Sequence, residues 1–105
     1  MLENISVNFV KTALESIAGL WYSRNGKIVY YFGLIETGEK YQGLLQIKEN
    51  NHDAQKFPYR IVREDDKLFL EIDEEKFKIT HLPLEPKEIF SFRVNNRTIL
   101  ELCKL

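Results

Sequence analysis

Two histidines, one cysteine and two short acidic runs are the residues of this sequence whose types could support acid–base, nucleophilic or metal chemistry. His52 lies in the polar stretch Glu49–Lys56 and reads as a solvated loop side chain, whereas His81 closes an apolar run just before Leu82-Pro83. A thiol and an imidazole can act as nucleophile and base when a third group orients the ring, and nothing in the sequence orients His81 toward Cys103. A reactive thiol also needs a nearby cation to lower its pKa. Lys104 follows Cys103, but strand alternation sends the two side chains to opposite faces. Two histidines and one cysteine fall short of the four-ligand set of a structural zinc site. Glu64-Asp65-Asp66 and Asp73-Glu74-Glu75 separate apolar runs, where carboxylates favour turns, and they lack the apolar pocket that raises one carboxyl pKa for acid catalysis. No phosphate loop, nucleophile elbow or dinucleotide fingerprint is present. The sequence therefore points away from an enzyme, with no metal or cofactor expected.

The residues with the largest interaction capacity are aromatic. Trp21, Tyr30, Phe32, Tyr41, Tyr59, Phe77 and Phe92 recur at strand spacing and form the expected ligand-binding set. Each such side chain buries about 150–250 Å², and an eight-strand barrel is just wide enough to be filled by side chains or to hold one small ligand. The set therefore either lines a pocket for a small apolar or amphipathic ligand or fills the interior as a packed core. Tyrosine hydroxyls need partners when buried, which keeps a partly polar cavity open as an alternative.

The elements that must position these rings follow from periodicity. Ile5, Phe9, Ala13 and Ile17 recur every four residues, with Val10 and Leu14 widening the stripe, so residues 4–18 are expected to form an amphipathic helix. Asn4 or Ser6 can cap its start and Gly19 its end. After Gly19 the period becomes two. Strands are expected at Leu20–Arg24, Lys27–Glu36, Lys40–Lys48, Tyr59–Arg63, Leu68–Ile72, Phe77–Leu82, Glu88–Val94 and Thr98–Lys104. Asn25-Gly26, Thr37-Gly38-Glu39 and Asn95-Asn96 supply hairpin turns, and Pro83 and Pro86 bracket one longer connection. No connection is long enough for a parallel crossover. The fold class is thus mainly β, a small antiparallel up-and-down β-barrel or curved meander of about eight strands with one N-terminal helix.

The chain of 105 residues carries 44% hydrophobic and 30% charged residues and a net charge of -1, the balance of one ordinary globular domain spanning 1–105. Acids and bases are interspersed, so no basic footprint for nucleic acid appears. The helix lacks the Lys/Arg-rich polar face of a membrane-surface helix. Met1-Leu2-Glu3-Asn4 does not begin a signal peptide, and a cytoplasmic location is expected. Ile28, Tyr30, Phe32 and Leu34 face one way and Val29, Tyr31 and Ile35 the other. One apolar face goes to the core, and the second must be covered by the helix or by another subunit. A homodimer is accordingly the alternative partner, and a protein-interaction module with a filled barrel is the alternative function.

Gly19-Leu20-Trp21, at the start of an eight-strand meander, resembles the lipocalins and the wider calycin group. The pair Lys67–Ile72 and Phe77–Leu82, followed by Leu100–Lys104, is similar to the compact lipocalin-like domains of bacteria. The resemblance covers residues 19–105 and implies a barrel that binds a small ligand. It also implies a basic side chain packed over Trp21, here Arg97 or Lys104. The chain is shorter than a full lipocalin and lacks that group's disulfides.

Overall fold

Alternating apolar residues bury one face of each strand, and the computed structural model shows how those faces meet. It describes every residue except Met1, Asn25, Gly26, Gly38, Glu39, Asn51 and Leu105, with backbone alone at 2–8, 36, 37, 40 and 41. Helix α1 (Leu2–Ile17) is followed by β1 (Gly19–Ser23), β2 (Ile28–Thr37), β3 (Lys40–Glu49) and β4 (Gln55–Glu64). Then come β5 (Lys67–Ile72), β6 (Glu75–His81), β7 (Phe90–Arg93) and β8 (Ile99–Lys104). Each strand pairs antiparallel with the next, and β8 returns to β1, so the sheet is a closed barrel in sequence order. Closure is made by Trp21, Tyr22 and Ser23 opposite Lys104, Cys103 and Leu102. It removes the two edges that an open meander would expose.

The acidic runs do form turns. Asp73 and Glu74, with φ of 48° and 75°, make the two-residue connection whose positive φ angles match the twist of a hairpin. Asp65 takes φ 57° in the β4–β5 turn. The expected turn residues Asn25-Gly26 and Gly38-Glu39 lie outside the described residues.

Several strand boundaries differ from expectation, two of them for identifiable reasons. β4 begins at Gln55 and runs through Pro58, although proline cannot donate to a ladder. In a strand the N–H and C=O of one residue point the same way, and the Pro58 carbonyl accepts from the Asp73 N–H. The missing donor therefore faces away from β3 and costs no bond there. β7 starts at Phe90 rather than Glu88, because the Glu88 N–H donates to the Glu85 carbonyl within the preceding loop, while its carboxylate meets His81 at the end of β6 and the Glu85 N–H.

Inside the barrel, Trp21, Phe32, Leu45, Leu70, Phe90 and Leu102 are almost wholly buried. Ala13 and Ile17 of α1 join this core, and Val10 and Leu14 pack against it. The helix lies against β4 and β2, at the end of the barrel where the chain enters β1. A helix leaves its last carbonyls without intrahelical partners. Here the Trp21 indole N–H donates to the Ile17 carbonyl at 2.8 Å, and Lys104 Nζ donates to the Ala18 carbonyl at 2.7 Å. Gly19 ends the helix with φ 122°. The expected capping side chains, Asn4 and Ser6, lie outside the described residues.

Candidate functional site

Six of the seven aromatic residues expected to bind ligand project into the barrel, and five of them, Trp21, Tyr30, Phe32, Tyr59 and Phe92, are buried. Phe77 is half-buried. The Tyr41 side chain lies outside the described residues. Together with Phe90, most of these rings form one connected chain. Trp21 meets Phe90 at 6.0 Å between centroids, Phe90 meets Phe32 at 5.6 Å, and Phe32 meets Tyr59 edge-on at 5.1 Å. A branch continues from Phe90 to Phe92 at 5.2 Å and on to Phe77 at 6.1 Å. The three edge-to-face pairs among them contribute about 0.5–1.5 kcal/mol each beyond their burial. The rings thus pack chiefly against one another across the interior.

One polar atom in this cluster is left over. Tyr59 Oη is buried and has no hydrogen-bond partner among the described residues. Such an atom costs about 1–3 kcal/mol, and burial raises the phenol's pKa above its ordinary value, with a smaller contribution from Tyr31. The ring is seated by a glycine. A Cβ on Gly43 would lie 2.6 Å from Tyr59 Cε1 and 2.7 Å from the Tyr59 carbonyl oxygen. Tyr30 is also held above the usual phenol range, by burial and then by the Glu49 carboxylate.

Open volume lies at both ends of the barrel, with a pocket of about 320 Å³ beside Tyr59, Arg60, Glu71 and the β5–β6 turn and a wider groove at the helix-covered end. A groove of about 630 Å³ runs between Phe9 of α1, the start of β5, the end of β6 and the β6–β7 loop. Leu68 and Ile79 belong to the core-packed apolar set and form its floor. Phe9 and Leu84 stand on its walls, 41% and 48% exposed. Polar groups edge it, including Lys67, Lys78, Thr80 and His81. A smaller pocket of about 220 Å³ lies across the same loop and is lined by Ser16, Trp21, Lys104 and residues of the loop.

His81 is oriented after all: its Nε2 lies 2.7 Å from Glu88 Oε2. Sequence reasoning missed Glu88, because the partner sits seven residues away across a loop that carries two prolines. The neighbouring hydroxyls of Thr80 and Ser91 bond each other at 2.6 Å. Cys103 is a half-buried free thiol opposite Tyr22 in the β1–β8 ladder. On the outer sheet face Arg60 Nε donates to Glu71 at 2.6 Å, and this bond holds the Glu71 carboxyl below its ordinary range. Among the described residues no group of three or more His, Cys, Asp or Glu side chains is placed to hold a metal ion. No described helix is long and apolar enough to cross a membrane.

Of the two basic residues expected over the tryptophan, Lys104 takes the position, with Nζ 4.8 Å from the Trp21 ring centroid. Arg97 lies in the β7–β8 turn, at the other end of β8, where its N–H is bound by Asn95 Oδ1. A Cβ on Gly19 would lie 2.5 Å from Lys104 Nζ, so glycine there is what lets the lysine reach the helix end. Comparison with protein families, curated proteins and solved structures finds no match for this chain. The closed eight-strand antiparallel barrel is compatible with a calycin-type fold.

Proposed function

We propose that the protein is a non-enzymatic binding module that takes a small amphipathic ligand at the helix-side mouth of its barrel. The observation that carries this is the groove of about 630 Å³, within the roughly 300–1,000 Å³ of small-molecule sites. Its apolar floor and two exposed apolar walls favour a hydrocarbon portion, and its charged edge favours a polar end. The aromatic interior acts as a rigid support beneath the site rather than as the site itself. Because Phe9 and Leu84 are exposed, replacing either by Asp leaves the core intact. The test is titration with the apolar dye 1-anilinonaphthalene-8-sulfonate, alongside native mass spectrometry of protein purified from its own source. Phe9→Asp and Leu84→Asp should each weaken dye binding about tenfold, roughly the loss of one well-buried apolar contact, with unchanged melting temperature. Dye binding indifferent to both changes sinks the proposal.

A second reading, an assembly module, is favoured by the outer face of β1–β3. Leu20, Tyr31, Ile35 and Leu44 are all exposed there, and Leu20 stands directly opposite Tyr31. Sedimentation at micromolar concentration should then show a dimer that Ile35→Lys dissolves; a monomer at all concentrations rules out self-assembly.

A further inference from the structure

We propose that the loop at 82–89 is a lid over the helix-side end of the barrel and that Glu88 is its latch. The inference rests on the reading of the mouth groove as a binding site. Leu84, Glu85 and Glu88 line both the groove and the smaller pocket beside Trp21 and Lys104. The loop is therefore the partition between two open volumes, and lifting it would join them into one path reaching the Trp21 ring.

The partition is held by one carboxylate. Glu88 Oε2 pairs with His81 Nε2 at 2.7 Å, at the end of β6, while Oε1 accepts the Glu85 N–H at 2.9 Å. The Glu88 N–H in turn donates to the Glu85 carbonyl at 3.3 Å, and the Leu84 N–H to the Leu82 carbonyl at 2.9 Å. Side chain and backbone thus fold the loop onto itself and onto β6 through Glu88. Beside the latch, Lys87 takes φ 71°, a conformation costly for a residue with a Cβ and sustained by its surroundings. Pro83 and Pro86 fix their own φ angles, so the segment between them moves as a stiff unit about its ends. A closed state held by a few bonds to a half-buried carboxylate, against local backbone strain, is suited to opening. The groove can then exchange ligand without disturbing the aromatic core.

Trp21 is the only tryptophan in the chain and lines the pocket behind the lid, so it reports opening directly. The experiment compares wild type, Glu88→Ala and Glu88→Gln by acrylamide quenching of Trp21 fluorescence and by stopped-flow binding of 1-anilinonaphthalene-8-sulfonate. Glu88→Ala should raise the quenching constant about twofold or more. It should also speed dye association and dissociation together, by about fivefold or more, as expected when a gate is altered. Glu88→Gln, which keeps a neutral acceptor, should fall between. Unchanged quenching and rates overturn the proposal. So does a loss of affinity through dissociation alone with a lowered melting temperature, which would make Glu88 a plain structural support. If the dye fails to bind wild type, the binding-site reading falls, while quenching still decides whether Glu88 latches the loop.

Discussion

Replacing Tyr59 by Phe should stabilise the protein, an inversion of the usual effect of a core substitution. The ring keeps its edge-on contact with Phe32 at 5.1 Å and its seat over Gly43, and only the unpartnered hydroxyl is lost. An unsatisfied buried hydroxyl costs about 1–3 kcal/mol, so a gain of about 1 kcal/mol is expected. That corresponds to roughly 4–8 °C in melting temperature for a domain near this size. The same group has a pH signature. Burial raises the Tyr59 pKa in the folded chain, so the unfolded chain loses this proton first as pH rises. Stability is then fully present below the unfolded value and declines above it. With an unfolded phenol pKa of about 10, the loss is on the order of 1 kcal/mol by pH 11. Tyr30, also raised, adds a decline of the same sign. Urea unfolding of both proteins between pH 7 and 11 provides the assay. Tyr59→Phe should be the more stable at pH 7, and its stability should fall less steeply above pH 10. A less stable variant at pH 7 would refute the reasoning, because it would mean that the hydroxyl has a partner in solution.

Gly43→Ala places a methyl 2.6–2.7 Å from the Tyr59 ring and carbonyl. Overpacking of this kind costs about 1–3 kcal/mol, and a thermal melt within 1 °C of wild type would show that the ring shifts freely. Lys104→Met removes both the bond to the Ala18 carbonyl and the cation over Trp21. A loss of about 1 kcal/mol and a changed Trp21 emission are expected. Arg97→Met, in an exposed turn, should leave both within error; equal effects of the two would misplace the lysine.

The period-two pattern made the strands legible because in an antiparallel sheet with a single core each inward residue must be apolar, and turn-forming carboxylates stood between the runs. Counting alone grouped Tyr30 with Phe32 on one side of the two-sided β2, while the packing decided that this side points inward. Boundaries were less legible. Pro58 reads locally as a stop, yet it is tolerated because its missing N–H points away from β3, a direction that only pairing defines. The Glu88–His81 contact was likewise invisible, since seven residues of loop separate the partners and no periodicity spans them.

By itself the sequence determined a mainly β chain with an amphipathic helix ahead of it, and ring-rich strand faces, because these follow from local propensity and alternation. It left three matters to tertiary structure. Closure of the barrel depends on β8 finding β1, a pairing between the two ends of the sheet. The choice of Lys104 over Arg97 depends on which end of β8 meets the helix. The location of open volume depends on how the rings and the helix share one small interior. There the aromatic side chains meet one another across the barrel, and the groove is left at the mouth.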